Sequence, residues 1–241
     1  MIIEVAFSRL DPACRSASGR AVAVIDVIRA TTTMTIALHH GCVGVIPVRT
    51  LSEARVVARR LGGGALLAGE RGADRAVGFE LGNSPAEYGR ERVKGKKVVL
   101  TTTNGTRTFQ AVTGARAIVA CSFLNAAATA RWLTGTGLDI LIVCAGQHDH
   151  FCLEDAVGSG MLIDRLLSSP DRTFDLSDAA RAAHQLFATY RDDLLGMLRG
   201  CEWGRNIIQK GFGADLEICA QADLTDIVPV MQKGCLVAER T

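Results

Sequence analysis

The chain has 241 residues, 48% hydrophobic and only 5% aromatic, with a formal net charge of +2. A chain of this length buries about 70–75% of its unfolded surface, so one large domain spanning 1–241 is the natural expectation. Without a basic run or stacking aromatics, nucleic-acid binding is excluded and a small-molecule partner is favoured. Residues 1–15, MIIEVAFSRLDPACR, lack the basic segment and apolar core of a secretory leader. No window offers about 18 uninterrupted apolar residues for a membrane span. The eight cysteines form no CxxC pair and no zinc spacing, which suits reduced, buried thiols of a cytoplasmic protein.

In chain order, AVAVIDVI (21–28) reads as a buried strand and TTTMTIALHHG (31–41) as a helix closed by Gly41. VGVIPV (43–48) is the next strand, and a helix follows with Thr50 and Glu53 spaced as a capping box and Gly62 as its stop. ALLAGE (65–70) is strand-like. NSPAEYGRERV (83–93) predicts a helix capped by Ser84, with Pro85 in its first turn and Glu87 completing a capping box. Strands at 96–101, 116–121 and 138–146 then alternate with helices at 106–114, 125–135 (Asn125 as cap) and 153–167. Residues 176–200 predict one long amphipathic helix with Ala183, Leu186, Phe187, Tyr190, Leu194 and Leu198 on its apolar side. The tail, 226–239, predicts two short strands around a turn. This order predicts a three-layer α/β/α fold with a mostly parallel central sheet and a C-terminal helical elaboration. The apolar face of 176–200 suits either the core or a second copy, so a homo-oligomer stays open.

In such folds ligands bind beyond the carboxyl ends of the strands. There the sequence places Asp26, Arg29 and Thr31–Thr33; Glu70 and Arg71; the TTTNGT run from Thr101 to Thr106; and Glu154 and Asp155 after the loop QHDHF. Each piece has a plainer reading. Asp26 serves equally as a helix cap or as the ion-pair partner of Arg29. Glu154 and Asp155 match the acidic bias of a first helical turn. The threonines suit strands and caps, and Gly105 suits a positive φ. His148 and His150 read first as exposed loop residues, with a ligand or proton-shuttle role as the alternative. His39 and His40 fit the dipole at a helix C-terminus.

Together the pieces suggest more. Acids without a Cys/His set suit a hard cation, Mg²⁺ before zinc. Hydroxyls and free N–H groups at helix starts suit an oxyanion, and arginines suit bidentate anion recognition. That combination fits phosphoryl transfer to water. GxxxxGK[ST], GxGxxG and GxSxG are absent, which removes support for a P-loop, a dinucleotide fold and a serine-hydrolase elbow.

DVIRATTT (26–33), GERG (69–72), FELGNSP (79–85), TTTNGT (101–106) and LED (153–155), in this order, resemble the 2-phosphosulfolactate phosphatase family. The resemblance runs from about residue 2 to residue 235. It implies a Mg²⁺-dependent α/β phosphatase associated with coenzyme M biosynthesis, acting on 2-phospho-3-sulfolactate to give sulfolactate and phosphate. It implies a site drawn from Asp26, Arg29, Glu70, Arg71, Asn83, Ser84, Asn104, Glu154 and Asp155. On this reading Asp26, Glu70 and Glu154, with Asp155 close behind, hold the metal. Arg29 and Arg71 grip anionic oxygens, joined by Thr31, Asn83, Ser84, Thr103 and Gly105. Asn104 and Thr106 donate to the phosphate, and Asp26, Asn104 and Asp155 are the catalytic candidates. Water attack is preferred over an aspartyl-phosphate at Asp26, because DxDx[TV] is absent: Ile28 stands at its third place. A non-catalytic binder of a phosphorylated metabolite and a phosphotransferase are the alternatives. The two histidines in QHDHFCLED leave a shifted substrate preference open.

Overall fold

The computed structural model describes residues 1–170 and 172–241. The chain folds as β1 (Ile2–Ala6), β2 (Ala21–Ile25), α1 (Ala30–His39), β3 (Gly44–Pro47), α2 (Leu51–Arg60), β4 (Ala65–Arg71), β5 (Asp74–Arg75), α3 (Arg90–Val93), β6 (Lys97–Thr101) and α4 (Gly105–Ala111). There follow β7 (Ala117–Cys121), α5 (Ala126–Thr136), β8 (Ile140–Cys144), α6 (Leu153–Leu167), β9 (Asp175–Leu176), α7 (Asp178–Tyr190), α8 (Leu194–Gly200), α9 (Glu202–Gln209), α10 (Asp215–Cys219), β10 (Ile227–Gln232) and β11 (Cys235–Arg240). All strands join one sheet in the order β5-β4-β6-β3-β11-β10-β7-β2-β8-β1-β9.

The three-layer architecture follows from alternation along the strands. Ala21, Ala23 and Ile25 of β2 pack with Val157, Met161 and Ala183 of α6 and α7, whereas Val22 and Val24 face Met34 and Ala37 of α1. In β6, Val98 and Leu100 share the α1 side, while Val99 packs with Ala54 of α2 on the other. Among the described residues no helix is long and apolar enough to cross a membrane.

The sheet has two parallel halves, β4-β6-β3 and β7-β2-β8-β1, spliced by the antiparallel hairpin β10–β11. The splice makes the halves run in opposite senses along the hydrogen-bonding ladder. Five strand-to-strand steps separate β2 from β6, and at about 20–25° each the accumulated twist is on the order of 100–125°. That rotation offsets much of the reversal and brings the carboxyl ends of both halves toward the start of α1.

Four expectations are corrected. Strand β1 is an addition to the predicted order, parallel to β8. The helix expected over 83–93 is a 3₁₀ turn at Pro85–Glu87 followed by α3, because Ser84 and Glu87 bond elsewhere: Ser84 Oγ donates to Asp215 and Glu87 accepts from the Gly82 N–H. The long helix over 176–200 breaks before Asp193, whose carboxylate accepts from the Gly196 N–H at 2.8 Å and starts α8 afresh. At Thr50, the hydroxyl caps α2 as expected, but the Glu53 carboxylate reaches the Arg49 N–H, one residue before the cap.

Candidate active site

Two strand-to-helix turns, one from each half of the sheet, meet at the site. After β2 the chain turns at Asp26 into α1. Asp26 Oδ1 accepts from the Ala30 N–H at 3.0 Å and so caps that helix. Thr31 fastens the same residue twice: its hydroxyl donates to the Asp26 carbonyl at 2.8 Å and accepts from the Asp26 N–H at 3.1 Å. Thr32 bonds the Val27 carbonyl and Thr33 the Asn83 carbonyl. All three threonines are buried in the scaffold.

After β6, Thr102 and Thr106 cap each other reciprocally, hydroxyl to backbone N–H. Both are buried, and the Thr106 hydroxyl donates to the Thr102 carbonyl. Gly105 corrects an expectation, because its φ is not positive. Its role is close approach: a Cβ there would lie 2.5 Å from Asp26 Oδ2 and 2.6 Å from the Ala30 Cβ. Glycine lets α4 pack against the Asp26 carboxylate.

The other acids divide by what they already hold. Glu70 accepts from the Ala73 N–H at 2.9 Å and from the Thr103 N–H at 2.7 Å, tying the end of β4 to the end of β6. Asp155 accepts from the Val27 N–H at 2.9 Å and the Gly146 N–H at 3.1 Å, tying α6 to the ends of β2 and β8. Among the described residues Asp26 Oδ2 accepts no hydrogen bond. A cavity of about 60 Å³ is lined by Asp26, Glu70, Arg29, Asn83, Thr103 and Asn104, with Gln147, His148 and Trp203 closing one side. Asn83 Oδ1 is buried there without a partner. Glu154 lines a separate space of about 510 Å³ across that Gln147–His148–Trp203 wall. Among the described residues, no three His, Cys, Asp or Glu side chains gather as a metal-holding group.

The arginines also differ from their expected roles. Arg29 lines the cavity, yet its guanidinium donates to Asp215 at 2.5 Å and to the Ala73 carbonyl at 3.1 Å, and it stacks 4.6 Å over Phe212. Ser84 donates to the other Asp215 oxygen at 2.6 Å. Arg71 folds onto the Glu70 carbonyl and the Thr101 hydroxyl, outside the cavity. Asn104 donates to the Gln147 side-chain oxygen at 2.9 Å. His148 reaches the cavity wall from a left-handed turn and, like His150, is exposed. Sequence reasoning missed Asp215, Gln147 and Trp203. Asp215 carried no signal of its own, because an acid as the first residue of the helix DLEIC matches the ordinary bias of a first turn.

A family model described as 2-phosphosulpholactate phosphatase matches residues 10–234. Relatives named probable 2-phosphosulfolactate phosphatase occur in Symbiobacterium thermophilum, 40% identical over 94% of this chain and 97% of its own, and in Thermotoga petrophila, 39% identical over 93% and 94%. One from Clostridium acetobutylicum is 34% identical over 97% of this chain and 99% of its own. The chain belongs to the 2-phosphosulpholactate phosphatase family. Of the five strings that carry the resemblance, four line the small cavity, and LED, the fifth, places Asp155 behind it and Glu154 beside it.

In this phosphatase-family site negative charge is crowded. Burial, then the nearby Asp155 and Glu70 charges, push the Asp26 carboxyl up to about 8, although the Ala30 N–H and Arg29 pull the other way. Burial and Glu154 push Asp155 up to about 7 against its two backbone donors. Burial also raises Glu154. Such crowding is favourable only when a cation or a proton joins it.

Proposed function

We propose that this family member hydrolyses 2-phospho-3-sulfolactate, or a similarly anionic phosphorylated hydroxy acid, to the free hydroxy acid and inorganic phosphate. The observation that carries the reading is the open Asp26 Oδ2, facing a cavity built from the ends of both sheet halves. At roughly 10–15 Å³ per water-sized probe, that cavity admits on the order of four such groups, which suits the phosphoryl end of a substrate.

The donor set fits a Mg²⁺ ion shared with substrate. Mg²⁺ is commonly held by one or two carboxylates, waters and substrate phosphate rather than by an all-protein cage. Asp26 Oδ2 and the orphaned Asn83 Oδ1 would hold it, with Glu70 and Asp155 fixing the loops around them. When bound, the ion would offset phosphoryl charge and acidify a water. The chain's own groups do the rest. Ala30 N–H and Thr31 fix Asp26, and Gly105 keeps side-chain atoms away from its free oxygen. Arg29 keeps N–H groups beyond the two bonds it makes, and Asn104 and Thr103 stand on the facing wall. We prefer water over Asp26 as the nucleophile, with Asp26 Oδ2 kept as a ligand for the ion.

Phosphate release from 2-phosphosulfolactate with Mg²⁺, and its loss in EDTA, is the expected result. Binding without release would favour a metabolite-binding module. Phosphorylation of an added alcohol in place of phosphate release would favour a phosphotransferase.

A further inference from the structure

Beyond the catalytic cavity, a second space of about 470 Å³ opens on the protein's surface. It is lined by Arg9, Arg49, Thr50, Arg107, Gln110 and Ala111, none of which lines the Asp26 cavity. Three guanidiniums therefore share one concavity. Arg9 has a partner, Asp149, at 2.5 Å. Among the described residues Arg49 and Arg107 have no carboxylate at ion-pair distance. The nearest acid of α2, Glu53, spends one oxygen on the Arg49 backbone N–H. A fourth guanidinium, Arg71, lies close enough to Arg107 to feel its charge. The ten-residue helix α2 also begins here, and Thr50, which caps it by accepting from the Glu53 N–H, keeps its own hydroxyl proton to donate.

Like charges gathered in one concavity repel, and only an anion turns the arrangement to advantage. Guanidinium forks match the oxygens of phosphate and sulfonate groups in a way a single ammonium does not. We propose that Arg9, Arg49 and Arg107 form a second anion-binding site, separate from the Asp26 cavity, for a small acid bearing a phosphate or sulfonate group. The site touches the catalytic cavity through one link. Arg9 and Ser8 both hold Asp149, and Asp149 follows His148 of the cavity wall. An occupant therefore competes with Asp149 for Arg9.

The test is direct binding of inorganic phosphate and, separately, of methanesulfonate to the intact protein at low ionic strength. Three surface or loop variants accompany the wild type: Arg49→Ala with Arg107→Ala, Arg49→Lys with Arg107→Lys, and Asn104→Ala in the catalytic cavity. With Mg²⁺ present the wild type is expected to bind two equivalents of phosphate. The double alanine variant should lose one of them, with affinity at that site falling at least about tenfold, roughly the 1.4 kcal/mol of one decade. Asn104→Ala should keep that equivalent. Methanesulfonate binding that disappears in the double alanine variant would show that sulfonates enter the same site. Wild-type stoichiometry and affinity in the double alanine variant would overturn the proposal. Full retention by the double lysine variant would also overturn it, because diffuse charge rather than a fork-lined site would then be collecting the anion. Both arginines are exposed, so circular dichroism and thermal melting of the variants should match the wild type.

Discussion

The turns β2–α1 and β6–α4 look alike as sequence, each a strand end, a threonine run and a helix start, and they do different work. The first presents a carboxylate: Asp26 caps its own helix with one oxygen and leaves the other open. The second presents a vacancy: Gly105 supplies no side chain where that oxygen needs room. Thr31 and Thr106 both accept and donate within their own turns, Thr31 on Asp26 and Thr106 on Thr102, while the Thr102 hydroxyl accepts from the Thr106 N–H and keeps its proton. Thr31 and Thr106 cannot turn to a ligand without leaving a polar group orphaned, whereas Thr102, which lines the cavity, can still donate. Among the described acids that line the cavity, Asp26 keeps an oxygen free while Glu70 spends both on N–H groups, and the threonines hold the Asp26 turn in place.

The largest effect should follow from Asp26→Asn. Turnover should fall by more than about 10², because the neutral amide is a poor ligand for the ion and the reacting groups lose their placement. Stability should move the other way. The Asp26 carboxyl is raised from 3.8 to about 8 in the folded protein, so the folded state holds a proton that the unfolded state has released. Metal-free protein should therefore lose stability as pH rises from about 4 to 8, with Asp155 adding to the slope up to about 7. Asn at position 26 should flatten that slope and raise the melting temperature at pH 8. A metal-free melting temperature that climbs across this range would contradict the charge crowding.

Asp215 comes next. It holds Arg29 and Ser84 together, with side-chain exposures of 3% for Asp215 and 2% for Arg29. Asp215→Ala leaves a buried guanidinium with one neutral partner, and breaking such pairs costs about 3–5 kcal/mol. Urea unfolding should show that loss. The helix carrying Asp215 lies in the C-terminal elaboration, so the variant also asks whether that segment serves the cavity or merely covers the core.

Gly105→Ala should reduce turnover by roughly 10², the scale of an ångström's misplacement at a reacting centre. The added methyl cannot sit 2.5 Å from Asp26 Oδ2, so either α4 or the carboxylate shifts. Gly114→Ala, where a Cβ meets nothing within 4 Å, is the control and should leave rates unchanged.

Much of this was legible in the sequence because it is local. The alternation of apolar strands and helices, Gly41 and Gly62 as stops, and the tail hairpin all depend on neighbours in the chain. The strand-end rule likewise gathered Asp26, Glu70 and Asn104, which the structure places around one space, and the resemblance added Asn83 to them. What the sequence could not show is how each polar group is spent. Glu70 and Asp155 look like Asp26 on paper, yet their oxygens are taken by N–H groups 33 and 128 residues away in the chain. Arg29 looked like an anion grip until Asp215, 186 residues on, claimed it. The helix over 176–200 failed for the opposite reason: apolar periodicity survives a break, and the Asp193 cap that resets the helix is a local competitor that the period does not register.

The smallest effect separates the two turns most cleanly from a ligand-binding reading. Thr31→Val removes the acceptor of the buried Asp26 N–H, whereas the Asp26 carbonyl keeps the Thr31 N–H at 3.0 Å. One orphaned donor should cost about 1–3 kcal/mol, read by urea unfolding. KM should stay near the wild-type value, because the Thr31 hydroxyl does not line the cavity. Serine at position 31 keeps the hydroxyl and should recover most of the lost stability. Thr106→Val should behave the same way, orphaning the Thr102 N–H. If either valine variant raised KM severalfold while melting like the wild type, its hydroxyl would be touching substrate, and the division between a holding scaffold and a single open carboxylate would fail at that turn.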